Sequence, residues 1–163
     1  EEIKTAFKEA KALHHKGLWI RRSADEINEF SRKEFQKLYP NKPFELEWKP
    51  NTRIFEVELR EPQIMWRVVG SEKEAPGNWM LHFDPRLKFT KEQLVDKIAL
   101  PGGINRAVYV VKIELPIGIK LRGGITAENG MGKGGAAQWW LLDTNIRPVQ
   151  KNWIQSIEEW KSQ

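Results

Sequence analysis

Ala107-Val108-Tyr109-Val110-Val111-Lys112-Ile113-Glu114-Leu115 is the most strand-like stretch of this 163-residue chain. Lys112 and Glu114 alternate with Val111, Ile113 and Leu115, a period of two. Leu100-Pro101-Gly102-Gly103 breaks the chain before it and Pro116-Ile117-Gly118 turns it afterwards, into a short strand Ile119-Lys120-Leu121. Upstream, the same period marks Ile54-Phe55-Glu56-Val57-Glu58-Leu59 and Ile64-Met65-Trp66-Arg67-Val68-Val69, joined by a turn at Glu61-Pro62. Asn78-Trp79-Met80-Leu81-His82-Phe83 is a further strand. Thr90-Lys91-Glu92-Gln93 is a capping box and opens a short helix to about Ala99.

Away from this block the period changes. Ile3, Phe7, Ala10 and Leu13 give residues 1–16 a helical stripe that Gly17 ends. Ser23-Ala24-Asp25-Glu26 caps a second helix over about 24–38, with Ile27, Phe30, Phe35 and Leu38 as its apolar side and Pro40 as its stop. Pro148 starts a closing helix with Val149, Trp153, Ile157 and Trp160 on one stripe. The expected fold is α+β: a mostly antiparallel twisted sheet with an N-terminal helical lead-in, one embedded short helix and a C-terminal helix. Residues 1–163 form a single domain, in which the lead-in 1–49 packs on a β-rich part, 50–163.

A hydrophobic content of 40% and eight tryptophans suit a folded core. The net charge of +5 permits an anionic partner, but the surplus is spread thinly, with eleven basic against nine acidic residues in 1–49 and eight against five in 101–163. With no cysteine there are no disulfides, thiolate nucleophiles or zinc-thiolate sites. No apolar run reaches the roughly 18–20 residues that span a bilayer. The charged start Glu1-Glu2-Ile3-Lys4, without a methionine, fits a fragment of something longer and is no signal peptide. His14 and His15 are adjacent, so on a helix they face different ways and cannot share an ion; no metal site is expected. HExxH, P-loop and GxSxG patterns are absent, and Gly132-Lys133-Gly134-Gly135 leads into a strand rather than a helix.

Five places carry possible chemistry. Gly130-Met131-Gly132-Lys133-Gly134-Gly135-Ala136-Ala137-Gln138-Trp139-Trp140 is a glycine-rich loop that runs into a strand. It is either a long hairpin turn or a surface where a ligand lies against bare backbone, with the Gln138 amide at the join. Arg67 sits in an apolar strand, either at an edge or pointing into a cleft to hold phosphate or carboxylate. Asn105 is a turn residue or a ligand contact at a strand's mouth. His82 is the histidine to which acid–base ribonuclease chemistry would fall. Trp79 is a core residue or a plate on which a ring stacks.

Together, W-R-V-V-G at 66–70, G-N-W-M-L at 77–81, A-L-P-G-G-I-N-R-A at 99–107, V-K-I-E-L-P-I-G at 111–118 and G-K-G-G-A-A-Q-W at 132–139 resemble C-terminal toxin domains of bacterial polymorphic and contact-dependent toxins. Within these the chain resembles the tuberculosis necrotizing toxin family, NAD-glycohydrolases related in fold to ADP-ribosyltransferases. The resemblance covers roughly residues 64–142 and implies catalytic roles for Arg67 and Gln138. The family's intervening histidine is missing; Asn105-Arg106 stands near that place, which gives Asn105 the third role. Substrate contacts then fall on Trp79, Arg106, Gly132, Gly134 and Gly135. NAD is a substrate and no cofactor is expected. The partner implied is a cognate immunity protein, and the working place is the cytoplasm of a target cell reached by delivery. Two alternatives stay open: a toxin ribonuclease acting on tRNA or rRNA through His82 and Lys133, helped by Arg106 and Arg122, and a non-enzymatic binding module. The enzymatic readings share one spatial expectation, that Arg67 and Gln138 converge on a single hollow.

Overall fold

The structure is a computed structural model that describes residues 8–9, 20–100, 102–129, 132–142 and 151–161. It is α+β, and among the described residues two antiparallel sheets and two whole α-helices build it. The strands are β1 (Ile20–Ser23), β2 (Arg53–Glu58), β3 (Gln63–Val69), β4 (Trp79–Met80), β5 (Tyr109–Leu115), β6 (Lys120–Ile125), β7 (Ala137–Leu141) and β8 (Ile154–Glu159), and the helices α1 (Ala24–Leu38) and α2 (Lys91–Ile98). The expectation of one twisted sheet is corrected here. Five strands make one sheet in the order β1-β2-β6-β7-β4, and three make another in the order β3-β5-β8. The strands flanking Glu61-Pro62 therefore part company, β2 to one sheet and β3 to the other, and β5 and β6 do likewise across Pro116-Ile117-Gly118.

The alternation read from the sequence decides what lies between the sheets. Met65, Val69, Val111, Ile113 and Leu115 point from one sheet toward Phe55, Val57, Leu121, Trp139 and Leu141 of the other, all of them buried. Trp139 fits because its register partner is Gly123, where a Cβ would fall 2.3 Å from the indole. On the far side of β3 and β5, Val68 and Val110 pack with Leu94, Val95 and Ile98 of α2. The sheets are stitched at one edge, where Trp66 and Leu81 exchange backbone hydrogen bonds of 2.9 and 2.7 Å. That stitch brings β3 beside β4, and with it Arg67 beside Trp79.

Both helix starts hold. Thr90 caps α2 with both halves of the box formed, and the Ser23 hydroxyl accepts from the Asp25 amide at the start of α1. The buried residues of α1 differ from those expected. Ala24 and Asn28 are buried, whereas Phe30 and Leu38 stand 66% and 74% exposed. Asn28 is held because its amide donates to the Trp48 carbonyl at 2.8 Å and accepts from the Trp48 amide at 3.2 Å, so α1 grips the 47–49 segment. The lead-in also contributes a strand, β1, that no apolar pattern announces.

The closing helix is corrected too: residues 154–159 are strand β8. Its register on β5 shifts at Lys112/Ile113, where Ile154 faces Ile113 and Ile157 faces Val111, leaving Gln155 as the extra residue of a bulge. Val111 and Ile113 share a face, so a bulge puts residues three apart on one side and mimics helical spacing. Of the expected 1–16 helix, Lys8 and Glu9 are helical. The rest of it, His14 and His15 included, and Pro148 and Val149 lie outside the described residues.

Candidate functional site

Arg67 is 5% exposed, and backbone carbonyls meet its guanidinium. Its Nε–H donates to the Ala75 carbonyl at 2.8 Å, Nη1 to Trp79 at 2.6 Å and Nη2 to Glu74 at 3.1 Å. The guanidinium carbon also lies 5.2 Å from the centre of the Trp79 ring. Room for it comes from Gly77, where a Cβ would sit 2.2 Å from Nη2. The arginine thus clasps the 74–79 turn and sets the position of Trp79. Its side chain lines a hollow of about 230 Å³ with Gly70, Glu74, Trp79, Leu100 and Arg106. Arg106 is ion-paired with Glu74 and lies over two glycines: a Cβ at Gly70 or at Gly102 would fall within 2.7 Å of it. Three of the quoted motifs meet here.

Gln138 lines a second hollow, of about 220 Å³. β7 alternates, so Ala137, Trp139 and Leu141 face the inter-sheet core while Gln138 and Trp140 face the other way. Gln138 is 6% exposed, and among the described residues no group hydrogen-bonds to its carboxamide. Trp140 pairs with Trp79 across the β4–β7 ladder, so the two indoles are neighbours on this wall. The Nε1–H of Trp140 is buried with no acceptor among the described residues. Ile98, Ala99 and Leu100 close one side, Thr126, Ala127 and Asn129 another, and Glu45, Leu46 and Glu47 a third. Glu47 is held there by backbone: Ala127 N–H donates to its carbonyl at 3.1 Å, and Lys49 N–H to Ile125 at 2.9 Å. Burial pushes the Glu47 carboxyl above the ordinary carboxylate range, with the more distant Arg122 opposing.

The expected convergence is therefore modified. Arg67 and Gln138 line two adjoining hollows, and Trp79 and Leu100 are walls of both. Either space alone falls short of the roughly 300–1,000 Å³ of small-molecule sites, and the two together lie inside that range.

Other expected residues are placed differently. Asn105 is exposed on a short 3₁₀ turn, Gly103–Arg106, and lines neither hollow. The glycine loop is not a supple surface, because its freedom is spent on protein. Gly134 N–H donates to Asp96 O at 2.8 Å, Gly135 N–H to Thr126 O at 2.9 Å and Lys133 N–H to Asp96 Oδ1 at 3.1 Å. Gly134 and Gly135 have φ of 71° and 101°, and a Cβ at Gly132 would strike Asp96 backbone at 2.6 Å. Gly132, Gly134 and Gly135 thus bolt β7 to the end of α2 and line neither hollow; Gly130 and Met131 lie outside the described residues.

Lys133 is exposed and lines neither hollow. His82 lines neither as well: its Nδ1 is 4.0 Å from Glu9 Oε1, which accepts from Trp139 Nε1 at 3.1 Å on the opposite face of β7 from Gln138. Arg122 is bound to Glu56 at 2.7–2.8 Å. No group of three or more potential metal ligands occurs among the described residues, and no described helix is long and apolar enough to cross a membrane.

Glu47 and Trp140 were not picked out from the sequence. The signal that could have found Glu47 is the alternation Glu45-Leu46-Glu47-Trp48, a strand-like run inside a stretch bounded by prolines.

No family model and no curated relative matches the sequence. A solved structure does share the fold: that of Tne2 in complex with Tni2, at a TM-score of 0.51 and 16% identity, over 71% of this chain and 93% of that one.

Proposed function

We propose that this chain is a toxin domain that consumes NAD, as a glycohydrolase or an ADP-ribosyltransferase. The observation that carries the proposal is the pair of hollows meeting at Trp79, one lined by two carboxylates and two amides with no cation, the other by two guanidinium groups and one carboxylate. A dinucleotide has that polarity, with a flat cationic ring next to a doubly charged pyrophosphate. In the reaction the bond between nicotinamide and ribose breaks, nicotinamide leaves neutral, and water or an acceptor nucleophile bonds the same ribose carbon and gives up a proton. The ribosyl cation formed on the way resembles the oxocarbenium ion of glycoside cleavage. Gln138 orients the ribose hydroxyls, since an amide carries no charge with which to balance the cation. Arg106 is the guanidinium offered to phosphate: Arg67 is buried and serves the 74–79 turn, whereas Arg106 is exposed and would trade its ion pair with Glu74 for the phosphate.

The likeness of fold to Tne2 supports this reading. Tne2 was solved in complex with Tni2, and we extend to this chain the expectation of a bound partner, which for a toxin domain is a cognate immunity protein. A producing cell needs one if the domain drains NAD from the cytoplasm it is delivered into. The ribonuclease alternative has no comparable grouping, since His82 and Lys133 line neither hollow.

The test is release of nicotinamide from NAD by the purified chain. Gln138→Ala should lower the rate at least about 100-fold, the scale seen when one polar group is removed from a preorganised site, with an unchanged circular dichroism spectrum. A wild-type chain that leaves NAD intact overturns the proposal.

A further inference from the structure

We infer that the hollow beside Trp79 and Trp140 selects a planar organic cation, and that Glu47 is the residue that reads its charge. The inference rests on the NAD-consuming reading only for the cation's identity: there it is the oxidised nicotinamide ring, and Glu47 separates oxidised from reduced dinucleotide.

Three residues that line this space carry polar groups without a hydrogen-bond partner among the described residues. The Gln138 carboxamide, on a residue 6% exposed, has no hydrogen-bond partner among the described residues. The Trp140 Nε1–H is buried without an acceptor among them. The half-buried Glu47 carboxylate has neither a donor nor a basic group at ion-pair distance among them. Polar groups inside a protein are nearly always paired, so the reachable Gln138 carboxamide and Glu47 carboxylate, on two sides of one hollow, call for a ligand that supplies partners. The charges say which kind. Glu45 and Glu47 line this hollow and no lysine or arginine does, in a chain that carries +5 overall. Arg122, the cation that acts on Glu47 from a distance, is bound to Glu56 at 2.7–2.8 Å and is not available to balance it. Two neighbouring indoles add flat apolar walls; Arg67 already stacks on Trp79, which leaves Trp140 as the ring that favours an added positive charge. A neutral ring would gain the walls and leave the carboxylate unbalanced; an anion would meet repulsion.

Isothermal titration of the full chain with 1-methylnicotinamide, a cation, and with neutral nicotinamide separates these cases. The cation should bind about tenfold tighter, the scale of one partly desolvated charge contact. Glu47→Gln, which keeps the shape and removes the charge, should abolish that preference with the circular dichroism spectrum unchanged. Glu45→Gln, at the exposed rim, should reduce it less. Equal affinity for the two probes, no binding of either, a preference that survives Glu47→Gln, or one that depends on Glu45 instead, overturns the inference. Nicotinamide release from NAD by the same preparation keeps the two proposals apart. Cleavage without a cation preference sinks this inference alone, and a cation preference without cleavage sinks the functional reading alone.

Discussion

A guanidinium inside a sheet must find acceptors or leave, and Arg67 finds three carbonyls on a turn that passes over it. The turn can approach because Gly77 has no side chain. Gly77→Ala should therefore cost about 2 kcal/mol, the range for forcing atoms into a filled interior, read as a lower urea midpoint. An unchanged midpoint would show that the arginine has another place to go. Glu9 makes a second residue-scale prediction. Burial raises its carboxyl to about 7 from an ordinary 4.5, against the opposing Trp139 hydrogen bond and Lys88. Below pH 4.5 the group is protonated whether the chain is folded or not. Between 4.5 and 7 the folded chain keeps a proton that the unfolded chain releases, so stability falls as pH rises, by about 3 kcal/mol in all. Glu9→Gln should flatten that slope: more stable than the wild type at pH 8, converging with it near pH 4. Urea midpoints that run parallel across this range would contradict it. At this scale the sequence was informative about which residues come together and less so about what each one does there. Arg67, Gly70, Gly77, Trp79, Gly102 and Arg106 do gather in one place. That Arg67 spends donors on backbone depends on a turn whose path no local pattern encodes.

Among the elements, strands announced themselves wherever one face was buried and one was not, as along β5. β8 was misread because Trp153, Ile157 and Trp160 recur at intervals of four and three, the helical spacing, and the bulge at Gln155 that puts Ile154 and Ile157 on one face leaves no plain period of two. α1 was read correctly in extent and wrongly in orientation. Its long apolar residues suggested a core stripe, yet its grip on the sheet comes from small Ala24 and from Asn28, whose two bonds to Trp48 no hydrophobic pattern reveals. The outer residues give a test: Phe30→Ser and Leu38→Ser should each change stability by less than about 0.5 kcal/mol, as exposed positions do. Asn28→Ala, in contrast, should cost about 2 kcal/mol through unpaired backbone groups at Trp48 and should also weaken cation binding, because the 47–49 segment that carries Glu47 keeps its backbone bonds to Ile125 and Ala127 but loses its tie to α1. Chemical denaturation of the three variants, with the calorimetric titration of the last, decides it. A large loss from Phe30→Ser would mean that the outer face of α1 is covered after all. The glycine loop belongs here too. Its composition was legible, but whether bare backbone faces a ligand or another part of the chain is settled by the end of α2, some thirty-five residues earlier in sequence, and α2 takes the loop.

Across the whole molecule the sheets meet along the β3–β4 stitch, and the two hollows lie on either side of the tryptophan that follows from it. If a single dinucleotide spans them, its two ends are held by groups that share no partner: Glu47 in one hollow, Arg106 with Glu74 in the other. Contacts without shared partners contribute independently to binding free energy, within about 0.5 kcal/mol. For NAD, then, the losses of affinity caused by Glu47→Gln and by Arg106→Ala should add in the double variant. For fragments they should separate: 1-methylnicotinamide should respond to Glu47→Gln and ignore Arg106→Ala, and ADP-ribose should do the reverse. A full double-mutant cycle with the three ligands, measured by calorimetry, checks this. Strong non-additivity with NAD, or a fragment that responds to both substitutions alike, would mean that the two hollows act as one space and that Trp79 is no partition between charges. Additivity with clean separation would make the edge where the two sheets join the feature that sorts the positive and negative ends of the ligand.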